Sequence, residues 1–225
     1  MRIPKKSTLL FSIAAALVWP SAALLAVAGI NKWSFNATTC MPVGFYRRAP
    51  KPDHLKDGDM VYFCPSLHDQ PGLPFTGFPS FQRSLPASDN PAMQEAIKGL
   101  WLEHSPGGQW HCADGLTPFA KIVAATAGQT VEITKQGVVA NGKLLPGSQI
   151  VTSVEGMPVV HLPVGFKMTI PKGYFWDYAP GTFAFTSAYY GPEPTKNILG
   201  SITPALVIPG SQYWYTDKIQ TERAK

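Results

Sequence analysis

Residues 118–146 read PFAKIVAATAGQTVEITKQGVVANGKLLP, and their pattern decides the fold class. TVEIT, the turn KQG, VVA, the turn NG and KLLP make a hairpin series: short apolar or β-branched runs separated by Gly-containing turns pair with their neighbours. The style continues through MPVVHLP (157–163), GFKMTIP (165–171), GYFWDYA (173–179) and SITPALVIP (201–209). Upstream, GDMVYFCP (58–65) reads as another strand after a turn. The chain is expected to be mainly β from Pro118 onward.

Composition agrees with that reading. Only 15% of the 225 residues are charged, while 22 are proline and 20 glycine, a balance that favours short strands and many turns over a helical bundle. An apolar content of 45% suffices for a core. The net charge is +5, but its Lys and Arg are scattered with no basic stripe carrying interleaved aromatics, which argues against nucleic acid as a partner. The five histidines (54, 68, 104, 111 and 161) lack ligand spacing, so a metal site is not expected, and with no P-loop or dinucleotide fingerprint neither is a cofactor.

Between residues 65 and 116 the β pattern is interrupted. Residues 66–90 are rich in Pro, Gly and Ser and read as loop. Asn90 then serves as a helix N-cap and Pro91 as its first residue, with Met93, Ala96, Ile97, Leu100 and Trp101 on one apolar face. The expectation is a β-rich domain over 32–225 carrying a loop-plus-helix insertion.

The N-terminus decides the compartment. Arg2, Lys5 and Lys6 precede an uncharged run from Ser7 to Asn31. A run of that length spans a bilayer as a helix, which needs about 20 apolar residues, and the basic tip stays in the cytoplasm. Residues 1–31 are therefore expected to form a basic tip and a transmembrane anchor. The rival reading is a cleaved signal peptide, with AVA before Gly29 as the cleavage site; secretory apolar regions usually run only about 7–15 residues, so the anchor is preferred. Either way the rest of the chain is exported. Three cysteines, Cys40, Cys64 and Cys112, leave one unpaired thiol if two bond in an oxidising compartment.

Two residues carry candidate chemistry. Cys40 heads the stretch CMPVG (40–44), where Pro42 restricts the backbone around it and Gly44 permits a turn or a close approach. Its other reading is a small buried hydrophobe. Lys121 lies among Phe119, Ala120, Ile122, Val123, Ala124 and Ala125. It is either an edge-strand charge or an inward-pointing amine whose desolvation favours the neutral, basic form. The tripeptide NAT at 36–38 matches a glycosylation acceptor, a pattern common by chance.

Five stretches in this order, T-x-C-M-P-x-G-x-Y (38–46), GDMVYFCP, AKIVAATAGQTVEI (120–133), NGKLLP (141–146) and FTSAYYGP (185–192), resemble the type I signal peptidase superfamily, and within it the TraF-type conjugative-transfer peptidases. The resemblance implies a β-rich catalytic core with a disulfide-tied cap. It puts Cys40 at the nucleophile position, Lys121 at the general base, Thr38 at an oxyanion-hole hydroxyl, and Cys64 and Cys112 at the bonded pair around the insertion. It further implies a single-pass protein of the bacterial inner membrane with its catalytic domain in the periplasm. Its substrate would be an exported, pilin-like precursor, with simple cleavage or cleavage coupled to peptide joining as the outcome, and its partners other subunits of a conjugation apparatus. The sequence departs from the family in three places. Cysteine replaces the nucleophilic serine, Gly128-Gln129 replaces a Gly-Asp turn, and Ala184, Thr186 and Ala188 stand where the late box has serine, aspartate and arginine. Thr186 and Ser187 are the candidates to take over that support. The second reading is a catalytically degenerate homologue retained as a binding or assembly subunit.

Overall fold

The computed structural model describes residues 18–23, 26, 33–66, 112, 118–154, 157–158, 161–181 and 184–213. In chain order the strands are β1 (Trp33–Asn36), β2 (Gly44–Ala49), β3 (Met60–Phe63), β4 (Phe119–Thr126), β5 (Thr130–Thr134), β6 (Gly137–Ala140) and β7 (Lys143–Leu144). They continue with β8 (Ser153–Val154), β9 (Met157–Pro158), β10 (Lys167–Thr169), β11 (Tyr174–Tyr178), β12 (Glu193–Pro194) and β13 (Ile198–Val207). Among the described residues they form a seven-stranded sheet in the order β1-β2-β13-β3-β4-β11-β12, a four-stranded sheet β10-β5-β6-β7 and the small pair β8-β9. All pairings are antiparallel.

The hairpin reading of 130–146 holds. β5 pairs with β6 and β6 with β7. Asn141 and Gly142 form the second turn with φ of 49° and 77°, the left-handed pair that a two-residue turn needs to match the twist of its strands. Among the described residues the series departs from β at a short helix, Ser187–Tyr190, and at two 3₁₀ turns, Thr195–Asn197 and Ser211–Tyr213. Thr186 is the N-cap of the helix, accepting a hydrogen bond from the Ala188 amide at 3.4 Å.

β4 occupies the interior of the large sheet, between β3 and β11. Its two faces are both covered, Ala120 and Ile122 by one core cluster and Val123 by another, which explains its nearly unbroken apolar run. Val61, Phe63, Val123, Phe175 and Ile198 form one core cluster. On the other side Met41, Tyr46, Ala179, Ala184 and Ile202 pack together, with Met60, Tyr62, Ala120 and Ile122 against them. A third cluster joins the sheets through Val131, Ile133, Val138, Trp176 and Tyr178.

Cys64 and Cys112 are bonded, Cα to Cα 5.5 Å, and Cys40 is the free thiol. The bridge spans the expected insertion, whose helix at 91–101 lies outside the described residues. Residues 18–23 and 26 are helical, and the rest of the expected anchor also lies outside the described residues. No helix among the described residues is long and apolar enough to cross a membrane.

Candidate active site

Cys40 sits in the turn between β1 and β2, and three contacts fix that turn. The Asn36 side chain donates to the carbonyls of Thr38 (2.8 Å), Met41 (3.1 Å) and Pro42 (3.1 Å), closing the loop around one amide. Met41, immediately after the thiol, is buried in the core and anchors the turn from below. Tyr46 donates to the Pro42 carbonyl at 2.6 Å. The thiol itself is half-buried. A side chain placed by so many neighbours loses little further entropy on meeting a substrate.

Lys121 points inward. It is 4% exposed, and its ammonium lies 5.4 Å from the centre of the Phe119 ring, within cation–π range. Val61 of β3 lies directly opposite it.

On the other flank of β4 the pairing with β11 slips between Trp176 and Asp177. The bulge sets Asp177 opposite Val123, two residues along the same face from Lys121. Asp177 is fully buried. Its carboxylate accepts hydrogen bonds from the Ser187 hydroxyl (2.5 Å) and from the Tyr190 hydroxyl (2.8 and 2.7 Å), while its own amide donates to Ser187 Oγ at 2.9 Å. Burial pushes the acid up to about 6, opposed first by the Lys121 charge and then by these hydrogen bonds. Burial also holds the Tyr190 hydroxyl well above the usual phenol range, reinforced by Asp177, Glu193 and Cys40. Cys40 is thus within electrostatic reach of Tyr190, Tyr190 is bonded to Asp177, and Asp177 faces Lys121. Among the described residues no direct hydrogen bond joins Cys40 to Lys121.

No family model matches the chain. Its full length does find relatives. A probable conjugal transfer protein TraF of Sinorhizobium fredii is 27% identical over 191 residues, 83% of each chain. Conjugal transfer protein TraF of Agrobacterium tumefaciens is 27% identical over 199 residues, 88% of this chain and 95% of the relative. The TraF of Agrobacterium fabrum is 24% identical over 200 residues, 89% and 96% of the two chains. The chain is a distant, full-length homologue of conjugal transfer protein TraF. The resemblance read from the five stretches therefore holds over most of its length.

The other predicted residues of this TraF homologue divide between two places. Ser187 lies in the buried cluster, and Thr186 caps the helix that carries it. Thr38 is exposed, and its hydroxyl donates to Asn36 Oδ1 at 2.7 Å, which ties it to the Cys40 turn. Ala184 packs in the cluster beneath Met41, and Ala188 is buried between the sheets. Ser66, two residues after Cys64, binds Glu193 through its amide (3.1 Å to each oxygen) and its hydroxyl (2.7 Å). Burial raises Glu193 to about 8 against those hydrogen bonds, and Asp177 raises it further.

Sequence reasoning missed Asn36, Asp177, Tyr190 and Glu193. For Asp177 a signal existed: an acid inside FWDYA is as conspicuous as the lysine inside FAKIV. For Asn36 the sequon pattern hid the structural use, since the same side chain that could be glycosylated is engaged in closing the turn.

Proposed function

We propose that this TraF homologue is a membrane-anchored endopeptidase that cleaves exported, pilin-like precursors at the periplasmic face of the inner membrane. The observation that carries this reading is Lys121: a buried amine in an otherwise apolar strand, on the face of the buried cluster that also reaches a pre-set free thiol. A cation in that place is costly for the fold unless the site uses it. The disulfide supports an oxidising, extracytoplasmic setting.

In the proposed reaction the Cys40 sulfur attacks the scissile carbonyl carbon and its proton passes to Lys121. The carbonyl oxygen becomes an oxyanion that the Cys40 amide and Thr38 stabilise. Collapse breaks the C–N bond, Lys121 returns the proton to the leaving amine, and a thioester remains on Cys40. Water activated by Lys121 then hydrolyses it, or an incoming amine takes its place and joins two peptides. A thiol ionises far more readily than a serine hydroxyl, and its thiolate is a much stronger nucleophile than that neutral hydroxyl, so a cysteine site demands less of its base.

The test is turnover. Full-length protein in vesicles is mixed with a pilin-like precursor, and cleavage is read by gel and mass spectrometry. Wild type should cleave and Cys40→Ala should not. A second reading, a binding or assembly subunit of the conjugation machine, is favoured by Ala184 and Ala188 in the late box and by the tie between Thr38 and Asn36. A precursor bound by wild type yet never cleaved would select it.

A further inference from the structure

We propose that Asp177 is a positioning residue of this site: held by the Ser187 and Tyr190 hydroxyls, its carboxylate attracts the Lys121 amine across one face of the sheet and couples it through Tyr190 to Cys40. The assignment deepens the reading above, because Lys121 is the group it serves. Cys40 then works beside a lysine–carboxylate pair and not beside a lone lysine.

Geometry carries the argument. A plain core position in the middle of a sheet takes an apolar residue, and a fully buried carboxylate there is expensive unless its lone pairs and its charge are both met. Both are met. Two hydroxyls from one short helix reach the carboxylate, with Ser187 also receiving the Asp177 amide, so its orientation is fixed on two sides. The bulge between Trp176 and Asp177 then sets it on the Lys121 face. Diagonal neighbours on an antiparallel sheet lie about 7–8 Å apart at the backbone, near enough for two buried charges to interact strongly without direct contact. The charged and titratable groups facing Asp177 are Lys121 from β4, Tyr190 from the helix and Glu193 from β12, with Cys40 beyond Tyr190. Lys121 is the cation in that set.

Two functions follow for one carboxylate. Its charge biases the long amine toward this face of the sheet, which shortens the search for a geometry that can exchange a proton with the thiol. It also makes the charge around Cys40 depend on its own ionisation. With Asp177 protonated, an ammonium at Lys121 faces the thiol uncompensated; with Asp177 ionised, the pair is neutral.

The experiment reads the thiol directly. Cys64 and Cys112 are bonded, so iodoacetamide reports on Cys40, and its alkylation rate is measured in the full-length protein across about pH 5 to 9. Wild type should show a step near pH 6, superimposed on the thiol's own rise, where Asp177 titrates. Asp177→Asn should remove the step. Lys121→Met should move it to higher pH, because the lysine charge is what holds the acid down. The height of the step reads the coupling: each unit by which Asp177 ionisation changes the thiol's acidity alters the rate by about tenfold. Tyr190→Phe, which keeps the ring and deletes the link, should shrink the step. Should Asp177→Asn fail to fold, Lys121→Met and Tyr190→Phe decide alone. Wild-type profiles in these two variants, or in a folded Asp177→Asn, overturn the proposal. Precursor turnover is scored separately: intact coupling in a wild type that cleaves nothing keeps the positioning role and removes the peptidase reading. Turnover by wild type with uncoupled alkylation does the reverse.

Discussion

The backbone of Gly181 lies against that of Cys40. A Cβ built on Gly181 would come within 2.4 Å of the Thr39 carbonyl oxygen and 3.1 Å of the Cys40 Cα. The first contact is shorter than any real Cβ tolerates, and both partners are backbone, which has no rotamer to yield. Gly181→Ala must therefore displace the turn that carries the thiol. Overpacking of this kind typically costs about 1–3 kcal/mol. The expected outcome is a modest loss in urea unfolding with a much larger loss of precursor cleavage. A variant as active as wild type would show that the position of the Cys40 turn is not critical.

Glu193 should make stability fall as pH rises. Its folded pKa, raised by burial to about 8, stands above the ordinary 4.5, so the folded chain holds a proton that the unfolded chain has released. Stability from this group is present in full below the unfolded value and is lost as pH climbs through the folded one. The total is on the order of a few kcal/mol. Asp177 adds a smaller loss of the same sign that ends near pH 6. Urea midpoints at about pH 5 and about pH 9 should differ in wild type and converge in Glu193→Gln, which mimics the protonated acid. An unchanged slope in that variant would assign the effect to another group.

Asn36 closes the nucleophile turn with one side chain, and its removal should open the turn. Asn36→Ala deletes the bonds donated to Thr38, Met41 and Pro42; Pro42 keeps the Tyr46 hydroxyl, while the Met41 carbonyl loses this partner. Leaving such a group unsatisfied costs roughly 1–3 kcal/mol. Cys40 alkylation should become faster and less selective among thiol reagents, since the half-buried sulfur gains access. Asn36→Asp should not rescue, because it keeps the acceptor for Thr38 but aims a negative charge at three carbonyl oxygens. A protected thiol in Asn36→Ala would mean that Met41 and Tyr46 suffice to hold the turn.

What the sequence disclosed and what it withheld have physical reasons. The hairpins β5–β6–β7 were legible because their turns are local: Asn141 and Gly142 specify the loop without reference to distant chain. The inward lysine was visible as one of two alternatives, and burial chose between them once β4 was placed inside the sheet. β1 and β2 were not foreseen, because Trp33, Phe35 and Phe45 leave large apolar surfaces exposed and give no clean alternation of buried and polar positions. The helix at Ser187–Tyr190 is a single turn, too short to show a period. Asp177 was conspicuous in composition, but its pairing with Lys121 depends on cross-strand register and on a bulge, and neither is written in a local pattern.

Cys40→Ser separates what the thiol contributes from what the lysine contributes. A serine hydroxyl is far less acidic than a thiol, so its attack relies wholly on a base, whereas cysteine supplies some thiolate unaided. If Lys121 is that base, Cys40→Ser should retain reduced precursor cleavage. Lys121→Ala in the cysteine background should lose about 10²–10⁴-fold, the usual contribution of a positioned base, while keeping a residue of activity. The double variant Cys40→Ser with Lys121→Ala should show none. The order matters more than the absolute rates. Equal losses on removing Lys121 from the serine and the cysteine forms would mean that the amine acts by charge alone, and an inactive Cys40→Ser beside an active wild type would mean that the site works only with a thiolate. Circular dichroism and urea midpoints measured on the same samples keep a folding defect from being read as chemistry.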